Sequence, residues 1–335
     1  MEIAYYQSKY YDDLLAFTQS LWPEKTEEYL KYRLFQFPES ADDNRNNLLV
    51  LNNEGRIVGC ILYFVTKALI LGKEEKIFWG HDFYVEEKYR GAASLRLMVE
   101  MANVKPAFGA GATELNLKIQ KAAGAKFIAI EYHHLLFNFW SFKLLLIKLN
   151  LLKPAQYSSY IFPLNINTGR FQFRKIDSAD ELNIPNNGYW NTGDMDIEFV
   201  RDRHFLQNRF FENFIKYNFY KLDAGQNSKK DECYFVVRPV IESGFPVMAI
   251  VDFRYNKKEP EQLLRILRAA NKIAKRNRLP LASLRNSMKN KRLSFFPLMY
   301  RTNSRQYIGG PQTGNSEPRL LVTCADSDTD FLSNY

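Results

Sequence analysis

Cysteine is scarce: Cys60, Cys233 and Cys324 are the three in 335 residues, far apart and odd in number. They form no CxxC pair, so neither a disulfide framework nor a thiolate metal site is indicated, and no metal is expected. The N-terminus, Met1 to Tyr6, has neither a basic segment nor an apolar h-region, which excludes a signal peptide from the expectations. A membrane-spanning run is also missing. The most apolar stretch, Leu135 to Leu152, is broken by Asn138, Ser141, Lys143, Lys148 and Asn150. A cytoplasmic chain with no transmembrane segment is the expectation.

Aromatic residues and positive charge are plentiful, with 26 Phe, 20 Tyr and a formal net charge of +9. An excess of positive charge suits a polyanionic partner such as CoA, nucleic acid or an anionic membrane face, without choosing among them. The length favours two domains.

Along the first half, Ile3–Tyr6 reads as a strand, Tyr11–Leu21 as a helix and Thr26–Phe35 as a second helix. Leu48–Leu51, Ile57–Val65 and Lys76–Val85 read as strands, with a hairpin turn at Asn52–Gly55. Helices are expected at Ala93–Val104 and Glu114–Ala123, followed by a strand at Lys126–Tyr132. Leu135–Leu152 is expected to form an apolar helix joining two halves, packed between them or lying on a membrane or partner.

The second half echoes the first. Phe205 to Phe211 resembles Tyr29 to Phe35 at an offset of 176 positions, and Asp252-Phe253 matches Asp82-Phe83 at an offset of 170. Two landmarks in the same order argue for a duplicated fold. Expected boundaries are 1–134 for the first domain, 135–165 for the apolar helix and linker, and 166–335 for the second domain.

The chemistry concentrates between Phe78 and Leu95. An apolar strand leads into a charged turn, Tyr89-Arg90-Gly91, and small residues Ala92, Ala93 and Ser94 open a helix. Such a turn presents successive backbone N–H groups at a helix N-terminus, where a diphosphate is favoured. Gly91, Ala92 and Ala93 allow close backbone approach, and Arg90 adds a fixed charge.

This segment resembles the phosphate loop of the GCN5-related N-acetyltransferase (GNAT) superfamily, and the order of elements over residues 1 to about 132 is similar to that family. The resemblance implies an α/β (α+β) fold of two tandem GNAT-like domains, each a mixed, mostly antiparallel sheet flanked by helices. It further implies acetyl-CoA or another acyl-CoA as co-substrate, contacted by Phe83, Tyr84, Val85, Arg90, Gly91, Ala92, Ala93, Ser94, Leu95 and Asn116. Departures from the family pattern are Ala93 and Leu95 at the two small-residue positions, and Gln120 and Ala125 where the family carries a Tyr and a Phe.

An amine nucleophile must lose a proton, and Asp82 and His81 are the candidate catalytic groups; neighbours on a strand point to opposite faces, so only one can face the cleft, and Asp82 is favoured. The family resemblance also implies oxyanion stabilisation by a backbone N–H near Tyr84 or Val85.

The expected activity is therefore N-acyl transfer, of acetyl in the first place, from acyl-CoA to a small-molecule amine acceptor. The alternatives are an aminoacyl-tRNA-dependent peptidyltransferase of the Fem type, in which tRNA would be the partner, and a non-catalytic binding protein of the same fold. The second domain, whose turn Arg254–Pro260 has no glycine, is expected to be catalytically silent. His133-His134 is expected to open a helix or sit at an interface, Leu263–Arg278 to form an amphipathic basic helix, and Asp326 to Asp330 to be a solvated acidic tail.

Overall fold

The computed structural model describes residues 1–327 apart from 24, 37–46, 102, 105, 110–113, 115–116, 119–120, 122–126, 154–158, 170, 191–194, 224–232, 243, 257, 260, 288–298 and 310–317. The chain divides into two compact units, one of residues 1–129 with 306–318, the other of 130–305 with 319–335.

In the first unit, β1 (Glu2–Tyr5) is followed by α1 (Tyr11–Leu21) and α2 (Glu27–Lys31), the latter running into a wider π-helical turn over Tyr32–Gln36. Strands β2 (Leu48–Leu51), β3 (Ile57–Ile70) and β4 (Lys73–Val85) form an antiparallel meander with β1 at its edge. The β3–β4 hairpin is longer than expected, because its turn lies at Leu71-Gly72. Both residues have positive φ, 50° and 81°, the signature of a two-residue type I′ turn that suits strand twist. Then come α3 (Ala92–Met101) and β5 (Ala107–Gly109), which pairs parallel with β4 from Phe78 to Gly80.

Apolar side chains cover both faces of this sheet. Leu14, Phe17, Leu30 and Leu34 of the first helical region pack on Leu49, Cys60 and Leu62, while Ala93 and Leu97 of α3 pack on Val58, Ile61 and Val85. Val50 pairs with Gly59 and Leu51 with Ile57, so Val58 is a bulge residue that breaks the alternation of β3 and lets Val58 and Cys60 serve opposite faces.

In the second unit, β6 (Phe127–Phe137) leads through a single 3₁₀ turn, Phe139–Ser141, into the short helix α4 (Phe142–Lys148). The helix expected over Leu135–Leu152 is thus cut at both ends. Leu135, Leu136 and Phe137 pair with Ser283, Ala282 and Leu281, and Asn138 caps the turn by accepting from the Trp140 N–H. An Asn with its own local acceptor at a helix start overrides a continuous apolar run.

Strands β7 (Asn165–Thr168) and β8 (Phe171–Ile176) form a hairpin. Next are β9 (Ile197–Phe199), α5 (Arg203–Leu206) with a π-helical turn over Gln207–Phe211, and β10 (Asn218–Asp223). The β11 (Tyr234–Glu242) and β12 (Phe245–Arg254) hairpin follows, then α6 (Glu261–Arg276), β13 (Leu281–Asn286), β14 (Met299–Gly309), whose end from Gln306 belongs to the first unit, and α7 (Cys324–Ser327). The described sheet of this unit runs β7-β8-β10-β11-β12-β13-β6, with β12 and β13 parallel and the rest antiparallel. The apolar stripe of α6, Leu263, Ile266, Leu267, Ala270 and Ile273, is buried on it.

Two expectations are corrected here. His133 and His134 lie within β6 rather than at a helix start. His134 is buried opposite Leu284, and His133 Nε2 lies 3.2 Å from the Glu242 carboxylate. The tail expected to be solvated begins with a buried residue, because Asp326 is 1% exposed and pairs with Arg201 at 2.7 Å. Asp328 and Asp330 lie outside the described residues.

Candidate functional site

The site grows from one irregularity in β4. Leu62 pairs with His81 and Cys60 with Tyr84, so Ile61 faces two residues, Asp82 and Phe83. This is a β-bulge, a device that bends a strand and redirects its neighbours. Asp82 takes the left-handed conformation, φ 49°, which Asp tolerates better than most residues.

The bulge also overturns the alternation expected of a regular strand. His81 is opposite Leu62, on the face covered by α1 and α2, and the Asp82 carboxylate reaches that same side, to Lys25 and Tyr29. Phe83 and Val85 pack toward α3, and Tyr84 packs back toward Phe17 and Trp22.

Asp82 is buried and fully engaged. One carboxylate oxygen pairs with the Lys25 ammonium, and the other accepts from the Tyr29 hydroxyl at 3.0 Å. The Lys25 and Asp82 side chains are only 5% and 7% exposed. Lys25 also lies over the Trp22 ring, 3.7 Å from its centroid. Burial alone would raise the Asp82 carboxyl, but the charges of Lys25 and Arg33 and the hydrogen bonds from Lys25 and Tyr29 outweigh it. The carboxyl is held below the usual carboxylate range.

Beyond the bulge, β4 has a main-chain edge among the described residues. Pairing with β5 is described as far as Gly80↔Gly109, whereas pairing with β3 continues to Val85. The Glu86 N–H donates to the Val58 carbonyl. By the alternation of an antiparallel ladder, Val85 then directs its N–H and C=O away from β3. The carbonyl accepts from Arg90 Nε at 3.0 Å.

The Tyr89-Arg90-Gly91 turn follows a single 3₁₀ turn at Glu87–Tyr89. Gly91 has φ 90°, a conformation that L side chains avoid, and it turns the chain into α3. The first intrahelical bond runs from the Leu95 N–H to the Gly91 carbonyl, at 2.9 Å. The N–H groups before it face the end of the helix, as at any helix N-terminus. Ala92 and Leu95 are exposed, whereas Ala93 and Ser94 are buried. Ala93 thus occupies the place where the helix meets the sheet, and a small residue is needed there for packing against Val85 and Leu97. Leu95, 54% exposed, projects outward. Arg90 folds back over Tyr84, its guanidinium 5.5 Å from the ring. Asn116 lies outside the described residues, as do Gln120 and Ala125.

Residues 14–102 match the model of the Acetyltransferase (GNAT) family. The chain carries the tandem GNAT fold. A GCN5-related N-acetyltransferase from Anabaena variabilis is 10% identical, with a TM-score of 0.55 over 92% of this chain and 71% of its own. A probable N-acyltransferase from Enterococcus faecalis is 11% identical, with a TM-score of 0.56 over the same shares, 92% and 71%. The Saccharomyces cerevisiae N-myristoyltransferase, solved with bound myristoyl-CoA, is 11% identical, with a TM-score of 0.56 over 95% of this chain and 80% of its own. No curated protein matches the sequence.

Both GNAT units use the same internal device. In the second, β12 bulges between Ile250 and Asp252, and Asp252 is buried against Arg201 at 2.8 Å, Arg254 at 2.9 Å and the Tyr234 hydroxyl at 2.9 Å. Arg201 stands 176 positions after Lys25, and Asp252 stands 170 after Asp82. Burial opposes ionisation of Asp252, but Arg201 and Arg254, with hydrogen bonds from Arg201 and Thr323, hold its carboxyl far below the usual range. Sequence reasoning paired Tyr29 with Phe205 but missed Lys25 and Arg201. Extending that echo by four residues upstream would have found both.

Proposed function

We propose that the protein is a CoA-dependent N-acyltransferase whose first unit holds the acyl-CoA. The observation that carries this reading is a β4 strand that bulges at Asp82, keeps a main-chain edge through Val85 and ends on Gly91 at the start of α3. The edge would pair with the amide groups of the pantetheine arm. The N-terminal N–H groups of α3 would receive the diphosphate, favoured by the helix dipole. The match of residues 14–102 to the GNAT acetyltransferase family supports the reading.

In this reading the thioester carbonyl sits beside the Val85 N–H, which stabilises the oxyanion as the amine attacks. Nitrogen bonds to the carbonyl carbon, the carbon–sulfur bond breaks and the thiolate leaves with a proton. With Gln120 in place of a phenol, water supplies that proton. Asp82 is assigned to positioning, since both of its oxygens are engaged and its carboxyl is a weak base. Acceptance of the amine proton falls to His81, directly or through water, because imidazole is the ordinary base near neutrality. The acyl group is proposed to be acetyl and the acceptor a small-molecule amine, with the second unit catalytically silent.

The test is calorimetric titration with CoA, acetyl-CoA and myristoyl-CoA, on the wild type and on Ala92→Glu. An acidic residue in the first turn favours the helix but repels a diphosphate. Binding by the wild type, lost in a variant that melts no lower, supports the assignment. Preference among the ligands assigns the acyl length. A wild type that binds none of the three sinks the proposal, and salt-sensitive tRNA binding in its place would favour the peptidyltransferase reading.

A further inference from the structure

The segment that interrupts the second unit after β6 leaves an apolar surface. None of the residues of α4 is buried, although the helix reads Phe-Lys-Leu-Leu-Leu-Ile-Lys. Phe139 is 70% exposed, Leu145 60% and Leu151 70%, and Phe142, Leu149 and Leu152 are also exposed. Soluble proteins ordinarily avoid a contiguous apolar patch of this kind unless it binds something.

The patch is held rigidly in place. Asn138 donates to the Leu279 carbonyl at 3.1 Å, Ser141 to the Pro280 carbonyl at 2.6 Å, and Trp140 Nε1 to the Lys275 carbonyl at 3.1 Å. Lys143 donates to the Arg278 carbonyl at 3.1 Å. These bonds set α4 beside the C-terminal end of α6, where Lys275, Arg276 and Arg278 are exposed. Lys148 and Lys153 are exposed at its other end. The sequence contains no Asp or Glu between Glu131 and Asp177. The apolar surface is therefore rimmed by cations alone along its own chain, and the neighbouring end of α6 is basic as well.

We propose that this face docks on an anionic lipid bilayer. Exposed Phe and Leu side chains would enter the headgroup–acyl boundary, Trp140 would sit at the interface level, and the rim of Lys and Arg would meet the lipid phosphates. Charge complementarity favours a bilayer over a second copy of this chain, whose identical rim would repel. No helix among the described residues is long and apolar enough to cross a membrane. Docking is by a surface-lying segment.

The experiment is co-sedimentation of the full chain with phosphatidylcholine–phosphatidylserine vesicles and with pure phosphatidylcholine vesicles, at low and high salt. It requires no acyl-CoA and is independent of the catalytic reading. Binding is expected to the anionic vesicles, to weaken with salt and to fall in Leu145→Ser/Leu149→Ser. Each cation near an anionic surface contributes about fivefold, so Lys148→Glu/Lys153→Glu should weaken partitioning by at least ~25-fold. These side chains are exposed, so both variants keep the fold, which circular dichroism checks. Absence of binding to anionic vesicles overturns the proposal, as does binding that neither variant alters. A dimer by light scattering that Leu145→Ser/Leu149→Ser converts to monomer would instead assign the face to self-association.

Discussion

Replacing Lys25 by Met isolates what its buried pair with Asp82 of β4 contributes. The Lys25 and Asp82 side chains are 5% and 7% exposed, so neither charge has water to fall back on when its partner is removed. Breaking such a pair from one side costs about 3–5 kcal/mol, much of it the penalty of a buried charge left alone. In a unit of this size that lowers the melting temperature by on the order of 10 °C. Asp82→Asn is the matching change, because Asn also tolerates φ 49° and the backbone of the bulge is preserved. The double variant Lys25→Met/Asp82→Asn should lose less than the sum of the two, with a coupling of about 1–3 kcal/mol. Differential scanning fluorimetry on the four proteins closes the cycle. The sign with pH is fixed by the direction of the shift. Asp82 has its carboxyl depressed in the folded state, so its stabilisation is fully present above the unfolded value, roughly pH 4, and is lost as pH falls through the folded value. Asp82→Asn should therefore flatten the acid limb of the stability profile. Additive losses in the cycle, with an unchanged acid limb, would refute the claim that Asp82 is spent on structure and would return it to the list of proton acceptors.

The second unit should respond more severely: Asp252→Asn removes a charge shared by Arg201 and Arg254, both buried, and a loss of about 3–5 kcal/mol is expected by thermal melting. Gly59→Ala would bring a Cβ to 2.9 Å from the Tyr84 carbonyl oxygen, a backbone atom that cannot swing away, so a loss of about 1–3 kcal/mol in thermal stability and a weakening of acyl-CoA binding should appear together. The three cysteines are buried, and burial pushes the Cys60 thiol up, so native protein should resist a thiol reagent that labels all three after unfolding.

Much of the fold was legible where local signals and burial agreed. The β2–β3 turn, the β11–β12 hairpin and α6 follow from alternation, Gly at positive φ and an apolar stripe of helical period. The Leu135–Leu152 run misled because composition carries no information on where a strand ends. Asn138 set that boundary by capping, and pairing with β13 claimed Leu135 to Phe137. Asp326 misled for a related reason. A run of aspartates reads as solvated until an arginine 125 positions away is known to be buried beside it. At the candidate site, Arg90, Gly91 and the small residues after them were readable from the strand–turn–helix pattern. The bulge was not, since an extra residue in a strand leaves no compositional mark. Lys25 escaped notice because its partner is distant in sequence and near only after β4 has folded over α2.

The bulge carries one more consequence. Asp82 is the surplus residue of its hairpin: with it removed, His81 would still oppose Leu62, Phe83 would oppose Ile61 and Tyr84 would oppose Cys60. Every neighbour would keep its face of the sheet, so both apolar layers would survive the deletion of a single codon. What would vanish is the local bend and twist that the surplus residue imposes on β4. A one-residue deletion thus separates the scaffold from its candidate site more cleanly than any substitution, leaving a hairpin that is regular and packed.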